Sequence, residues 1–180
     1  MTRPIPTIDD WRILEKHGVT PDNLHVGWGL DLSHTPIAAL PDNLHVDGWL
    51  NLSFAAITAL PDNLHVGGDL DLYGTSITAL PDNLHVGRRL DLSGTSITAL
   101  PDNLHVGGVL YLHGTNIKPL LTDERGYRLD RAGDRYIAGC RNFSAEEALA
   151  HWGSETYPDR ARGDRYVAAI KAEESRRATQ

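Results

Sequence analysis

The sequence predicts a β-rich repeat solenoid, α/β overall, of five 20-residue coils with an N-terminal helical cap and a C-terminal ββαα cap. Three observations predict it. PDNLHV recurs in identical letters from Pro21, Pro41, Pro61, Pro81 and Pro101, and a fixed period without insertions is the signature of stacked repeats. Each period carries a Leu-x-Leu pair, from Leu30 and Leu32 to Leu110 and Leu112, and that spacing marks a short strand with one buried face. Charge is distributed unevenly: residues 20–120 hold ten acidic and three basic side chains (Arg88, Arg89, Lys118), so they carry the whole formal charge of -7 while both ends are balanced. The chain thus divides into a capping helix (1–19), five repeats (20–120) and a capping domain (121–180).

The elements follow in order. Thr7 can N-cap a short helix with Asp10 at its third position, Trp11 and Leu14 turned inward and Gly18 as the stop. In the repeats, Thr35, Thr75, Thr95 and Thr115 follow the strand, each two residues before an isoleucine of the series Ile37 to Ile117. Every unit then turns at Leu-Pro-Asp-Asn, where proline presets the backbone and Asp or Asn can bond it locally. A lone unit buries too little to fold, and stacking supplies both burial and backbone pairing. In the tail, two strands are expected around the turn Ala132-Gly133-Asp134. Ser144 and Glu147 form a capping box opening a helix that Gly153 ends. A second helix is expected over 159–175, with Tyr166, Val167 and Ile170 on its apolar side.

The unit LPDNLHVxGxLxLxxTxIxA resembles the leucine-rich repeat, whose core is LxxLxLxxNxL, in the short bacterial form with LP at the repeat junction. The likeness covers residues 20–120 and implies a solenoid with a concave sheet that binds a protein partner. Two positions depart from the family pattern. Its first leucine is replaced by Gly27, Gly67, Gly87 and Gly107, and by Asp47 in the second repeat, with the preceding valines available as substitutes. Its asparagine is threonine here, or Ala55 and Ala56 in the second repeat, so a hydroxyl must do the work of the amide. The tail is similar to tails found beside repeat solenoids in bacterial and phage sequences, a likeness that implies no activity.

Composition excludes several classes of function. Apolar residues make up 41% of the chain, too many for wholesale disorder, and no apolar run approaches the roughly 20 residues that span a bilayer. The start, MTRPIPTIDDWRILEKHG, lacks an apolar h-region, so no secretory signal is expected. The lone Cys140 fits a reducing compartment. The expected location is the cytoplasm, or a host cell reached without a cleavable signal. The acidic repeat block argues against direct binding to nucleic acid or an anionic membrane, since both need clustered Lys and Arg.

Catalytic signals are lacking: there is no phosphate-binding glycine loop, nucleophile elbow or Cys/His zinc spacing. Neither enzyme activity nor a cofactor is expected. Some leucine-rich-repeat effectors carry a ubiquitin-ligase domain with a catalytic cysteine, but Arg141 and Asn142 follow Cys140 where that domain has Cys-x-Asp, and the tail is several times too short. His151 and Trp152 near Glu147 are expected to pack at a helix end. The series His25, His45, His65, His85 and His105 predicts an imidazole ladder on stacked coils. In-line rungs offer a metal at most two ligands, so no metal is expected, and weaker stability below about pH 6 is.

Function is expected where the repeats differ. Exposed strand positions read Gly29, Trp49, Asp69, Arg89, Val109; then Asp31, Asn51, Asp71, Asp91, Tyr111; then Ser33, Ser53, Tyr73, Ser93, His113, flanked by Trp28, His34, Phe54 and Arg88. Trp, Tyr and Arg are the residue types enriched as interface anchors. The expectation is a non-catalytic module with Trp28, Trp49, Tyr73, Arg88, Arg89, Tyr111 and His113 on its binding face. There Asp31, Asp69, Asp71 and Asp91 select a basic or mixed-charge protein partner. Two alternatives are an acidic decoy for a nucleic-acid-binding defence protein and an enzymatic or carbohydrate-binding activity in the tail.

Overall fold

Proline and glycine at fixed places leave each repeat two short extended stretches, and both are paired. The structure, a computed structural model, describes residues 4–179 except Asp102, Glu124, Gly133, Asp134, Gly139 and Cys140. Cys140 and the turn residues Gly133 and Asp134 therefore lie outside the described residues. Helix α1 spans Ile8–Glu15, and the repeats then alternate two kinds of two-residue strand. The His-Val strands are β1 (His25–Val26), β3 (His45–Val46), β5 (His65–Val66), β7 (His85–Val86) and β9 (His105–Val106). The Leu-led strands are β2 (Leu30–Asp31), β4 (Leu50–Asn51), β6 (Leu70–Asp71), β8 (Leu90–Asp91) and β10 (Leu110–Tyr111).

Each kind forms its own five-stranded parallel sheet. Every pairing joins equivalent residues twenty positions apart, His25 to His45 and Leu30 to Leu50 onward. The result is a parallel β-solenoid. The Leu-x-Leu strand was expected; the His-Val sheet was not, and it makes the last two of the six invariant letters of PDNLHV a pairing element. Backbone groups of one repeat bond the next, as Leu50 N–H does to Asp69 O at 2.8 Å and Gly67 N–H to Val46 O at 2.8 Å, which satisfies donors that a lone repeat would leave unpaired.

The core runs along the solenoid. Val46, Leu52, Ile57, Val66, Leu70, Leu72, Ile77, Val86, Leu90, Leu92 and Ile97 are all fully buried. Thr35, Thr75, Thr95 and Thr115 donate their hydroxyls to the carbonyls of Leu32, Leu72, Leu92 and Leu112 at 2.6–2.9 Å. The hydroxyl thus serves the carbonyl of its own turn, three residues back. At the proline turns Asn43, Asn63 and Asn83 have φ of 61°, 57° and 62°, a left-handed conformation that Asn tolerates better than most residues. The Asn63 amide also donates to Asn43 Oδ1 at 3.2 Å, linking neighbouring turns.

The expected N-terminal cap forms as a complete capping box: Thr7 accepts from Asp10 N–H, and the Asp10 carboxylate accepts from Thr7 N–H. Helix α1 itself ends at Glu15, and Gly18 follows in a turn with φ 78°. Leu14 is buried and Trp11 half-buried. The buried Asp10 also accepts the Ala38 N–H at 2.7 Å, tying α1 to the first repeat. Burial pushes the Asp10 carboxyl up, but the hydrogen bonds from Thr7 and Ala38 outweigh it and hold it below its ordinary value.

The chain divides into two compact units, Met1–Ile117 and Lys118–Gln180. The second has four antiparallel strands where two were expected: β11 (Leu121–Thr122), β12 (Arg128–Ala132), β13 (Arg135–Ala138) and β14 (Arg141–Ser144), paired in that order. The added strands are a two-residue edge and a segment, RNFS, with no apolar alternation. Helices α2 (Ala145–Gly153) and α3 (Arg160–Arg177) follow. Ser144 and Glu147 form the expected capping box, and Asp159 caps α3. Trp152, Tyr136, Leu129, Tyr166, Ile170 and Ala148 make the core of this unit. No helix among the described residues is long and apolar enough to cross a membrane.

Candidate functional site

The Leu-led sheet turns its leucines inward, so most residues between and beside them face solvent; Ser93, expected to be exposed, is buried instead. On this sheet the aspartates of the middle stripe have a local task. Asp31, Asp71 and Asp91 accept the backbone N–H groups of Ser33, Tyr73 and Ser93 at 2.9–3.0 Å, and Asn51 accepts that of Ser53 at 3.0 Å. These side chains build the turn that follows each strand. For Asp31, the bond from Ser33 N–H holds the carboxyl below its ordinary value. Tyr111 breaks the series and leaves its ring half-exposed.

Exposed aromatic rings concentrate on the same side of the repeat. Trp28 is 70% exposed, Phe54 51%, Trp49 47%, Tyr73 44% and Tyr111 42%, well beyond what a packed ring shows. The Trp49 indole lies over Gly29, where a Cβ would come 2.1 Å from the ring, so a glycine in one repeat seats the tryptophan of the next. Asp69, Arg89 and Tyr111 form a linked row. Asp69 Oδ1 accepts the Arg89 backbone N–H at 3.1 Å, and the Arg89 Nε stands 3.7 Å from Asp69 Oδ2. The Arg89 guanidinium lies 5.9 Å from the centre of the Tyr111 ring, within cation–π reach. Arg88 and His113 are exposed beside them.

The turn after each Leu-led strand places one residue in the left-handed region. Gly74, Gly94 and Gly114 occupy it with φ of 66°, 70° and 70°, but in the first two repeats it holds His34 (φ 54°) and Phe54 (φ 56°). A bulky residue there bears strain of about 1–3 kcal/mol. Its ring is gained in return: His34 stacks on Phe54 at 5.0 Å, and Phe54 meets Tyr73 edge-on at 5.1 Å. Phe54 also lies across Gly74, whose missing side chain makes room for it. Sequence spacing flagged His34 and Phe54 as flanking residues. Their backbone conformation, legible only from the glycines at equivalent positions, shows that they are the costly ones.

The His-Val sheet carries the imidazole ladder. His45, His65, His85 and His105 stack nearly parallel, 4.2–4.5 Å apart and within 12°. Burial, together with the charge of flanking imidazoles, pushes His65 and His85 below their ordinary value. The first rung differs. His25 stands edge-on to His45 at 83°, and both rings direct Nε2 at Asp47 Oδ1, each at 3.0 Å. The hydrogen bond from His25, assisted by that from His45, holds Asp47 below its ordinary value.

The class this geometry defines is a parallel β-solenoid with a helix tied to its first repeat and an aromatic, mixed-charge face. No protein-family model, curated protein or solved structure significantly matches the chain.

Proposed function

We propose that the repeats form a leucine-rich-repeat solenoid of five coils, of the short bacterial type, whose Leu-led sheet captures a protein partner. The observation that carries the proposal is the aromatic cluster at the left-handed turns. Phe54 and His34 stand in the left-handed region where three later repeats use glycine, and half the Phe54 ring faces solvent. Rings held in strained turns, offset only by one another and still half exposed, suit a contact outside the chain. The seated Trp49 and the Asp69–Arg89–Tyr111 row extend the face, and such aromatic and arginine side chains anchor interfaces. The leucine-rich-repeat assignment is supported by the twenty-residue period, the in-register Leu-x-Leu sheet and the threonine hydroxyls standing in for the family asparagine. Because Asp31, Asp71 and Asp91 are committed to turns, charge selection falls chiefly to Asp69 and Arg89.

The test compares the full chain with the double variant Trp49→Ala/Arg89→Ala as bait in its native lysate, at two salt concentrations. A specific partner retained by the wild type and lost by the variant, at melting temperatures within a few degrees of each other, is the expected outcome. Equal capture by both proteins overturns the proposed face. Capture by both that disappears at high salt and is competed by DNA favours the acidic decoy instead.

A further inference from the structure

We propose that His25, His45 and Asp47 bind a divalent first-row transition ion of the Zn²⁺ class. Three donor atoms converge there: His25 Nε2, His45 Nε2 and Asp47 Oδ1 lie within 4.8 Å of one another. Zn²⁺ holds nitrogen and carboxylate ligands at about 2.0–2.2 Å, which puts tetrahedral ligands about 3.3 Å apart. The two Nε2-to-Oδ1 separations of 3.0 Å need only a small expansion to admit the ion. Ladder rungs alone would supply two ligands, and Asp47 supplies the third.

Two independent features single out this corner. Four of the five repeats have glycine at the Asp47 position, and in later repeats the reason is steric: a Cβ on Gly67, Gly87 or Gly107 would come 2.1–2.3 Å from the carbonyl of the preceding repeat. The second repeat thus puts a carboxylate where the stack otherwise favours no side chain at all. The neighbouring imidazole also leaves the ladder to meet it, since His25 is turned 83° from His45 while the later rungs stay within 12°. Imidazole and carboxylate together suit Zn²⁺ and its neighbours better than Ca²⁺ or Mg²⁺, which take all-oxygen shells. All three side chains are close to half exposed, so water can complete the coordination. On binding, each Nε2 exchanges its hydrogen bond to Oδ1 for the metal, and the ring hydrogen resides on Nδ1.

The experiment titrates ZnCl₂ into the untagged, chelator-stripped full chain by calorimetry, with Co²⁺ absorption as a second readout. Roughly one equivalent is expected to bind, with affinity reduced at least about tenfold in Asp47→Gly and less than about twofold in His85→Ala. Asp47→Gly restores the residue of the other repeats, and Asp47→Asn covers the event that it fails to fold. No binding by the wild type, or equal binding by the Asp47 variants, overturns the proposal. An equal loss in His85→Ala does so as well, since it would assign the ion to the stacked ladder.

Discussion

The first two repeats and the last three share a skeleton but treat their glycine positions differently. In repeats three to five, glycine fills both the tight approach at Gly67, Gly87 and Gly107 and the left-handed turn at Gly74, Gly94 and Gly114. In the first two, Asp47 occupies one approach and His34 and Phe54 occupy the turns. The second repeat also lacks the threonine hydroxyl, with buried Ala55 in its place. The difference teaches which positions the stack tolerates varying: the first two repeats keep the same pairing and buried leucines and isoleucines as the last three. Departures from the repeat therefore mark places where something besides stability sets the residue.

The largest effect should come from imposing the second repeat's residue on a regular one. In Gly87→Asp a Cβ would come 2.1 Å from the Gly67 carbonyl, backbone that cannot swing aside. Destabilisation of about 3 kcal/mol or more is expected in denaturant melts, and a melting curve that matches the wild type would break the contrast between regular and irregular repeats.

Acid should reveal a smaller effect, confined to the regular ladder. Folded His85 takes up its proton less readily than the unfolded chain, because it is partly buried and flanked by the imidazoles of His105 and His65. Its contribution is therefore fully present above its ordinary value of 6.5 and is lost as pH falls through the lowered folded value. With chelator present, melting temperature should fall from pH 7 to pH 5 and fall less in His85→Asn; identical slopes would remove the ladder from the acid response.

The smallest effect on stability is expected for Phe54→Gly, which gives the turn the residue of the later repeats. Relief of left-handed strain and loss of the ring's contacts with His34 and Tyr73 nearly cancel, leaving a change within about 1 kcal/mol. Partner capture should nonetheless drop. A variant that melts much lower but still captures would make Phe54 a packing residue.

Period, Leu-x-Leu strand, buried isoleucines and the N-caps of α1 and α2 were legible in the letters, because each rests on a local rule with a fixed spacing; Asp159, the cap of α3, reads as part of that helix. The His-Val sheet was not legible, since two residues are too few to show alternation and its partners lie twenty positions away. Asp31, Asp71 and Asp91 read as a charged stripe because spacing shows exposure and says nothing of the N–H groups of Ser33, Tyr73 and Ser93. Asp47 was visible as a departure, but its reach to His25 and His45 depends on a ring rotation that spacing does not encode. In the tail, β14 was missed because RNFS carries no periodic signal.

Both parallel sheets, and the imidazoles stacked from His45 to His105, repeat the same pairing every twenty residues. Adding or deleting a whole twenty-residue cassette among the regular repeats therefore leaves every backbone pairing with an equivalent partner. The distance between the Phe54 cluster and the Arg89–Tyr111 pair can change only in steps of one strand spacing, about 4.8 Å. Such a molecule is a vernier: its gene can set the separation of two contact points by counting modules, without redrawing the sheets that carry them.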